Sequence, residues 1–317
     1  MVATVAAREP VVLALEIPPT EARAIQGFLG SDGSAARRRE LVAGTWWQER
    51  YQDGRRSVAM ADLLETVRAL RAAGKPIDVV TIDDDGNATD AESREEAMAG
   101  HVIAARRARP EAALIVYAGN LHTSRHEMSF QPGFRWMAMR VLDAGIPLVS
   151  LNARWADGTA WICRGSDLSA CGVSFIGGRG TEAGIRFAPS PDASYDGWFG
   201  VGSVTASPPA GIPAMAEGLD AKIAAAWSSP EAAHAKARRA YADKDYARCA
   251  ELLAQIASPD AGIAYDHACC LALAGRKDDA LARLREAMDA GFKDLAHLEA
   301  DPDLVSLHDD PRWPIRK

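Results

Sequence analysis

The sequence predicts a mixed α/β fold, with a mostly parallel sheet flanked by helices, followed by an all-α tetratricopeptide-repeat domain. Three observations carry this. Short apolar runs alternate with helical stretches through roughly the first 155 residues. Gly-rich turns then separate short β-prone segments. Near the C-terminus, two amphipathic segments resemble each other at an offset of 33 residues.

The runs VVLALEI (11–17), PIDVVTID (76–83), ALIVYAG (113–119) and PLVSLNA (147–153) are apolar without alternation. That texture predicts strands buried on both faces. Between the first two, Met60, Leu63, Leu64, Val67 and Leu70 share one helical face, with Ser57 as N-cap and Gly74 as stop. The Thr-Asp-Ala-Glu pattern at Thr89 predicts a capping box opening a helix that runs to about Arg109. Strand, helix, strand in this order implies right-handed crossovers and parallel pairing. Beyond about residue 155, TAWICRG, CGVSFIGG and AGIRFAP read as strands or hairpins, and Gly178-Arg179-Gly180 as a hairpin turn.

The Pro-rich stretch 206–214 reads as a domain exit, dividing the chain into 1–212 and 213–317. In the second part, KDYARCAELLAQI (244–256) and KDDALARLREAMD (277–289) predict amphipathic helices starting at Lys-Asp turns. The segment 264–276 between them is rich in small residues suited to close packing, and a period near 34 is that of stacked helix pairs. Leu298, Leu304, Leu307 and Trp313 are expected to close the open end of the stack.

The 317 residues carry 36 Lys and Arg against 43 Asp and Glu, a net charge of −7. That balance argues against nucleic-acid binding, which needs a basic face. No apolar run reaches the roughly 18 residues of a membrane span. The opening MVATVAAREP is too short and polar for a secretory signal, so the sequence as read predicts a cytoplasmic protein; a preceding signal peptide would place it in the periplasm. The five cysteines form no CxxC pair, so their spacing predicts no structural zinc, and they are too few for a disulfide scaffold. The sequence sets no oligomeric state.

In a parallel sheet, ligands bind beyond the carboxyl ends of the strands. The first strand delivers Glu16 there, the second Asp83, Asp84 and Asp85, and the third the turn Gly119-Asn120-Leu121-His122. Glu16 follows a buried run, so it needs a cation, a metal or a hydrogen-bond network, or else it is a strand-end salt bridge. His122 suits a general base or a metal ligand, or is a satisfied turn histidine. His126 would share its face only if the segment were helical, and is expected at the surface. The G-x-S-x-G, H-E-x-x-H and P-loop signatures are absent.

Several motifs occur in a telling order: LALEIP, a Trp-containing segment leading to Asp53-Gly54-Arg55-x-Ser57, Arg94-Glu95-x-x-Met98-Ala99, and Gly119-Asn120-x-His122. GTAWIC with a second Cys and a closing VGSVTASPPA follow. Over roughly residues 10–212 the chain resembles the ChaN-like, erythromycin-esterase-like superfamily, itself related to the TraB/TIKI proteases. The resemblance implies an α/β fold with its site at the strand ends, and haem binding, histidine-activated ester hydrolysis or metal-dependent peptidase activity. It implies that Glu16, Arg94 and His122 act in the pocket, with Arg55, Asp83, Asn120, Tyr195 and Asp196 contacting substrate. Arg94 would hold a carboxylate or steady an oxyanion. Glu16 and His122 would ligate Mn, Co or Zn if a metal binds.

The family usually opens with a strand ending in Gly-Glu-x-His and a crossover helix, whereas only ten residues, with no histidine, precede Val11. Either that unit precedes the sequence as given, or the domain is degenerate; in the second case the expectation is a sheet short of one strand, with an exposed edge beside VVLALEI. Cys163 and Cys171 match a cysteine pair in relatives, as a hairpin disulfide or as free thiols; Cys269 and Cys270 are expected to be packing residues. Three functions follow: a hydrolase using His122, a haem- or ligand-binding protein without turnover, and a scaffold whose repeats bind a protein partner.

Overall fold

The computed structural model describes residues 1–178, 180, 182–190 and 193–313. Contacts divide the chain into two compact units, Met1–Ser174 with Gly178–Lys222, and Phe175–Gly177 with Ile223–Lys317. The first is mixed α/β and the second is built mainly of helices.

At the centre of the first unit is a parallel sheet of β1 (Val11–Leu15), β2 (Ile77–Thr81) and β3 (Ala113–Tyr117), in the order β2-β1-β3. Strand β1 is buried along its whole length, because it is the middle strand. The edge expected beside VVLALEI is therefore elsewhere: both sides of β1 are paired, and the edges are β2 and β3. As an edge strand β3 is only half buried, and Tyr117 is 53% exposed, so burial on both faces fails there.

Helix α1 (Val2–Val5) precedes β1. One face of the sheet packs on α2 (Ala22–Leu29), α3 (Ala35–Val42) and α4 (Val58–Ala72), through Ile25, Phe28, Leu41, Leu64 and Val67. The other packs on α5 (Ala91–Ala108) and α6 (Met137–Asp143), through Met98, Val102, Met137 and Val141. Ser57 caps α4, accepting from Met60 N, and Gly74 follows its end at φ +78°. The α5 cap is one residue later than expected. Asp90 accepts from Ser93 N and the Ser93 hydroxyl accepts from Asp90 N, while Glu92 instead accepts from Arg140.

The fourth predicted strand does not join the parallel sheet. Only β4 (Leu151–Arg154) is a strand, in a second sheet with β7 (Gly184–Arg186) and β8 (Gly197–Gly200), ordered β4-β8-β7. Segments β5 (Gly158–Cys163) and β6 (Cys171–Ile176) pair, and a Cys163–Cys171 disulfide ties their ends. The predicted turn at Gly178-Arg179-Gly180 includes Arg179, which lies outside the described residues. Residues 206–211 are not a loose linker. Val58 N donates to Pro208 O, Ala59 N to Ser207 Oγ and Ala210 N to Arg56 O, which braces the loop before α4.

The second unit contains α8 (Pro230–Ala242), α9 (Tyr246–Leu253), α10 (Ala261–Leu273), α11 (Lys277–Asp289) and α12 (Leu295–Ala300); α7 (Leu219–Trp227) leads into it. Helix α8 packs on α9, α9 on α10 and α10 on α11, and α10 contributes Ala264, Ala268 and Ala272 to the shared core, small residues that allow close approach. Asp245 caps α9 as the Lys-Asp reading requires, but α11 starts at Lys277 with Arg276 in the cap position. Leu298, Leu304 and Leu307 are fully buried, with Trp313 beside them. Cys270 is bonded to Cys249, so it is a crosslink rather than a packing residue; Cys269 is free and buried. No described helix is long and apolar enough to cross a membrane.

Replacing Asp90 with Ala should cost about 1 kcal/mol of stability in urea unfolding, because two N-terminal donors lose their arrangement. Thr89→Ala should be nearly silent, since its side chain takes no part in the cap.

Candidate active site

The carboxyl ends of β1, β2 and β3 bring together side chains distant in sequence. Glu16 follows β1, Asp83 follows β2, and His122 sits on the turn after β3. Arg55 comes from the loop braced by 206–211, and Arg94 from the first turn of α5.

Glu16 is the hub. Its Oε1 accepts from Arg55 Nη1 at 2.6 Å and from Arg94 Nη2 at 2.9 Å, and lies 3.4 Å from His122 Nε2. Its Oε2 accepts from Gly119 N at 2.6 Å. Asp83 binds the same two arginines, with Oδ1 2.8 Å from Arg94 Nε and Oδ2 3.1 Å from Arg55 Nη1. Asp53 takes the other side of Arg55 at 2.6 and 2.9 Å, and its Oδ1 accepts from Arg55 N. A Cβ on Gly119 would lie 3.3 Å from His122 Cδ2 and 3.4 Å from Glu16 Oε2, so the bare backbone keeps this approach relaxed.

His122 is held at both ring nitrogens. Nδ1 lies 2.5 Å from Glu95 Oε1, and Glu95 Oε2 accepts from Met137 N at 2.8 Å. Ala138 N donates to the His122 carbonyl, so the start of α6 fixes both the histidine and its carboxylate partner. Arg94 Nη1 approaches Nε2 at 3.2 Å. With the ring protonated, His122 Nε2 and Arg94 Nη2 share Glu16 Oε1 as their acceptor.

The electrostatics follow from the count of charges. Two guanidiniums face four carboxylates, Glu16, Asp53, Asp83 and Glu95, so a proton on His122 improves the balance. Burial lowers the imidazole pKa, but the hydrogen bonds and charges of Glu16 and Glu95 outweigh it and bring it up to about 9. Burial raises Glu16, yet the His122 hydrogen bond, Arg55 and Gly119 N together hold it far below the ordinary carboxylate range. Both arginines are held more firmly protonated than usual, because their carboxylate partners outweigh burial.

Of the predicted residues, Glu16, Arg94, His122, Arg55 and Asp83 converge. Asn120, Tyr195 and Asp196 lie outside this cluster and brace it. The Tyr195 hydroxyl donates to the Asn120 carbonyl at 2.8 Å, and Asp196 bonds Arg125 and accepts from Ser150 N. Asp84 and Asp85 bind their own loop, and His126 is exposed in a non-helical turn. Glu95, Asp53 and Gly119 N also belong to the cluster, although the sequence offers them only as motif positions without a role at the site. Glu95 was legible: with Met98, Ala99 and Val102 it continues one helical stripe, and all four are buried.

The Glu16 and His122 pair does not suit a divalent cation. Both guanidiniums donate to the oxygen facing Nε2, so positive charge already occupies that position. Haem fits no better, since both ring nitrogens face carboxylates. Comparison with known proteins yields no matching family model, no matching curated protein and no matching solved structure.

Glu95→Gln should lower the His122 titration midpoint by roughly 1–3 pH units, read by NMR of the ring. Stability should carry the same sign. A folded-state pKa of about 9, above the ordinary 6.5, adds stability that is full below pH 6.5 and lost as pH rises through 9. In urea unfolding, His122→Asn should flatten that fall.

Proposed function

We propose that the unit Met1–Lys222 is a metal-free hydrolase acting on an ester or amide that carries a neighbouring anionic group. One observation carries this reading: His122 sits between Glu95 and Glu16, with Arg55 and Arg94 converging on the same point at the strand ends. Neutral His122 takes a proton from water through Nε2, and Glu95 on Nδ1 fixes the ring and stabilises the imidazolium that forms. Arg94 and Arg55 offer charge-assisted hydrogen bonds to the substrate's anionic group and the developing oxyanion. The proton then returns from His122 to the leaving group. Because the imidazole pKa is about 9, the base form is a minor species at neutral pH, so turnover rises with pH toward 9.

A second reading, binding without turnover, is favoured by saturation. Glu16, Asp53, Asp83, Glu95, Arg55, Arg94 and His122 each already have a partner inside the cluster. In that case the working part is the helical unit, read as a tetratricopeptide-type module that holds a protein partner. Its cavity of about 430 Å³, lined by residues including Arg238, Tyr241, Tyr265 and His297, suits a peptide. The two disulfides fit an oxidising compartment, in line with the periplasmic alternative.

Assayed on a panel of carboxyl-bearing nitrophenyl esters and peptide amides, the protein should show hydrolysis that increases from pH 7 to 9. His122→Asn should reduce kcat about 10²–10⁴-fold, while Asp84→Asn should leave it unchanged. No hydrolysis of any of these compounds, with His122→Asn indistinguishable from the unaltered protein, would replace this reading with the second.

A further inference from the structure

The helical unit holds a second cluster of reactive side chains, which the strand-end site does not use. Its cavity of about 430 Å³ is lined by Cys269 of α10, His297 of α12, and Asp301 and Asp303 from the turn after α12. Cys269 is outside both disulfides and only 5% exposed. The ligating atoms of Cys269, Asp301 and Asp303 all lie within 4.8 Å of one another. Cys269 Sγ is 3.8 Å from Asp301 Oδ2, and His297 Nε2 is 3.8 Å from the same oxygen.

Two carboxylates this close repel each other. The Tyr265 hydroxyl donates to Asp301 Oδ2 at 2.6 Å, and the Tyr241 hydroxyl to Asp303 Oδ2 at 2.7 Å. Phenols orient a carboxylate but bring no charge. Arg238 lines the same cavity, yet among the described residues no Lys or Arg forms an ion pair with either acid. The arrangement is held in place: Asp303 N donates to Asp301 Oδ1, Tyr265 stacks on Phe292, and Leu304 and Leu307 anchor the turn in the core. The buried thiol is the discriminating feature. It is a weak donor and gains little from a carboxylate. Ca²⁺ and Mg²⁺ take oxygen ligands, and an amine needs no sulfur. A thiol, two carboxylates and an imidazole together match a borderline-soft divalent ion. With Zn–S near 2.3 Å and Zn–O or Zn–N near 2.1 Å, a tetrahedral site has S···O edges of about 3.6 Å and N···O edges of about 3.4 Å. The two 3.8 Å separations lie within a few tenths of an ångström of those edges.

We propose that Cys269, Asp301, Asp303 and His297 bind a zinc ion. On binding, the Cys269 thiol releases its proton to solvent and its sulfur bonds the metal. Three anionic ligands and a neutral imidazole then surround the ion. Tyr265 and Tyr241 remain as outer donors that hold the two carboxylates in position. The ion ties α10 to α12 and to the turn that closes the helical stack. Cys269 and Asp301 are 32 positions apart, which is why no short cysteine spacing marks the site.

The test titrates Co²⁺, a coloured stand-in for Zn²⁺, into the full chain stripped with EDTA. No reductant is present, so the Cys249–Cys270 disulfide stays closed. A thiolate-to-cobalt charge-transfer band should grow and saturate at one equivalent, with visible bands of tetrahedral intensity. Zn²⁺ should bleach both, and Ca²⁺ in excess should not. Cys269→Ser should abolish the charge-transfer band. Asp303→Asn, at a less buried position, should weaken Co²⁺ binding at least tenfold, and Tyr241→Phe about tenfold, with circular dichroism unchanged. His122→Asn should bind Co²⁺ like the unaltered protein, which separates this site from the strand ends. Absence of a saturable charge-transfer band, its persistence in Cys269→Ser, or its loss in His122→Asn would each overturn the proposal.

Discussion

The buried carboxylate of Glu16 is the constraint around which the first unit is organised. It is nearly inaccessible at the end of the fully buried strand β1, and an unpaired charge there would cost several kcal/mol. Two arginines, a backbone amide and a histidine remove that cost together. They come from three separate parts of the chain, so satisfying Glu16 also fixes the loop before α4, the first turn of α5 and the turn after β3.

This dependence links folding to chemistry. Helix α5 supplies two neighbouring residues with different tasks. Arg94 turns toward Glu16 and Asp83, while Glu95 turns toward His122 and the start of α6. The Asp90 and Ser93 capping box sets where that helix begins, and hence where both side chains point. A slip of one residue at the cap rotates them by about 100° and dismantles the cluster.

Much of the strand-end cluster is legible in the sequence, because its logic is one-dimensional. An acid directly after an apolar run, a second acid after another, and a Gly-Asn-x-His turn after a third all sit where a parallel sheet places its ligands. Less legible is what depends on three-dimensional neighbours. That β1 is central and β3 an edge follows from pairing order, which apolar texture does not encode. The split of 147–153 between an unpaired stretch and β4 depends on β8, almost fifty residues on. Tyr195 and Asp196 brace the His122 turn rather than join the cluster, because their partners are the Asn120 carbonyl, Ser150 N and the Arg125 side chain, none of which a sequence pattern ties to them. The Cys249–Cys270 link was likewise invisible, since two helix positions 21 residues apart meet only once α9 packs on α10.

The claim that Glu16 unites the site is tested most directly by a double-mutant cycle on Glu16→Gln and Arg94→Met, with unfolding free energies measured in urea at pH 7.5. The account predicts strong coupling, about 1–3 kcal/mol, because removing either partner already disables the other. Additivity within about 0.5 kcal/mol would contradict it, and would mean that the two residues are separate surface charges rather than parts of one buried network.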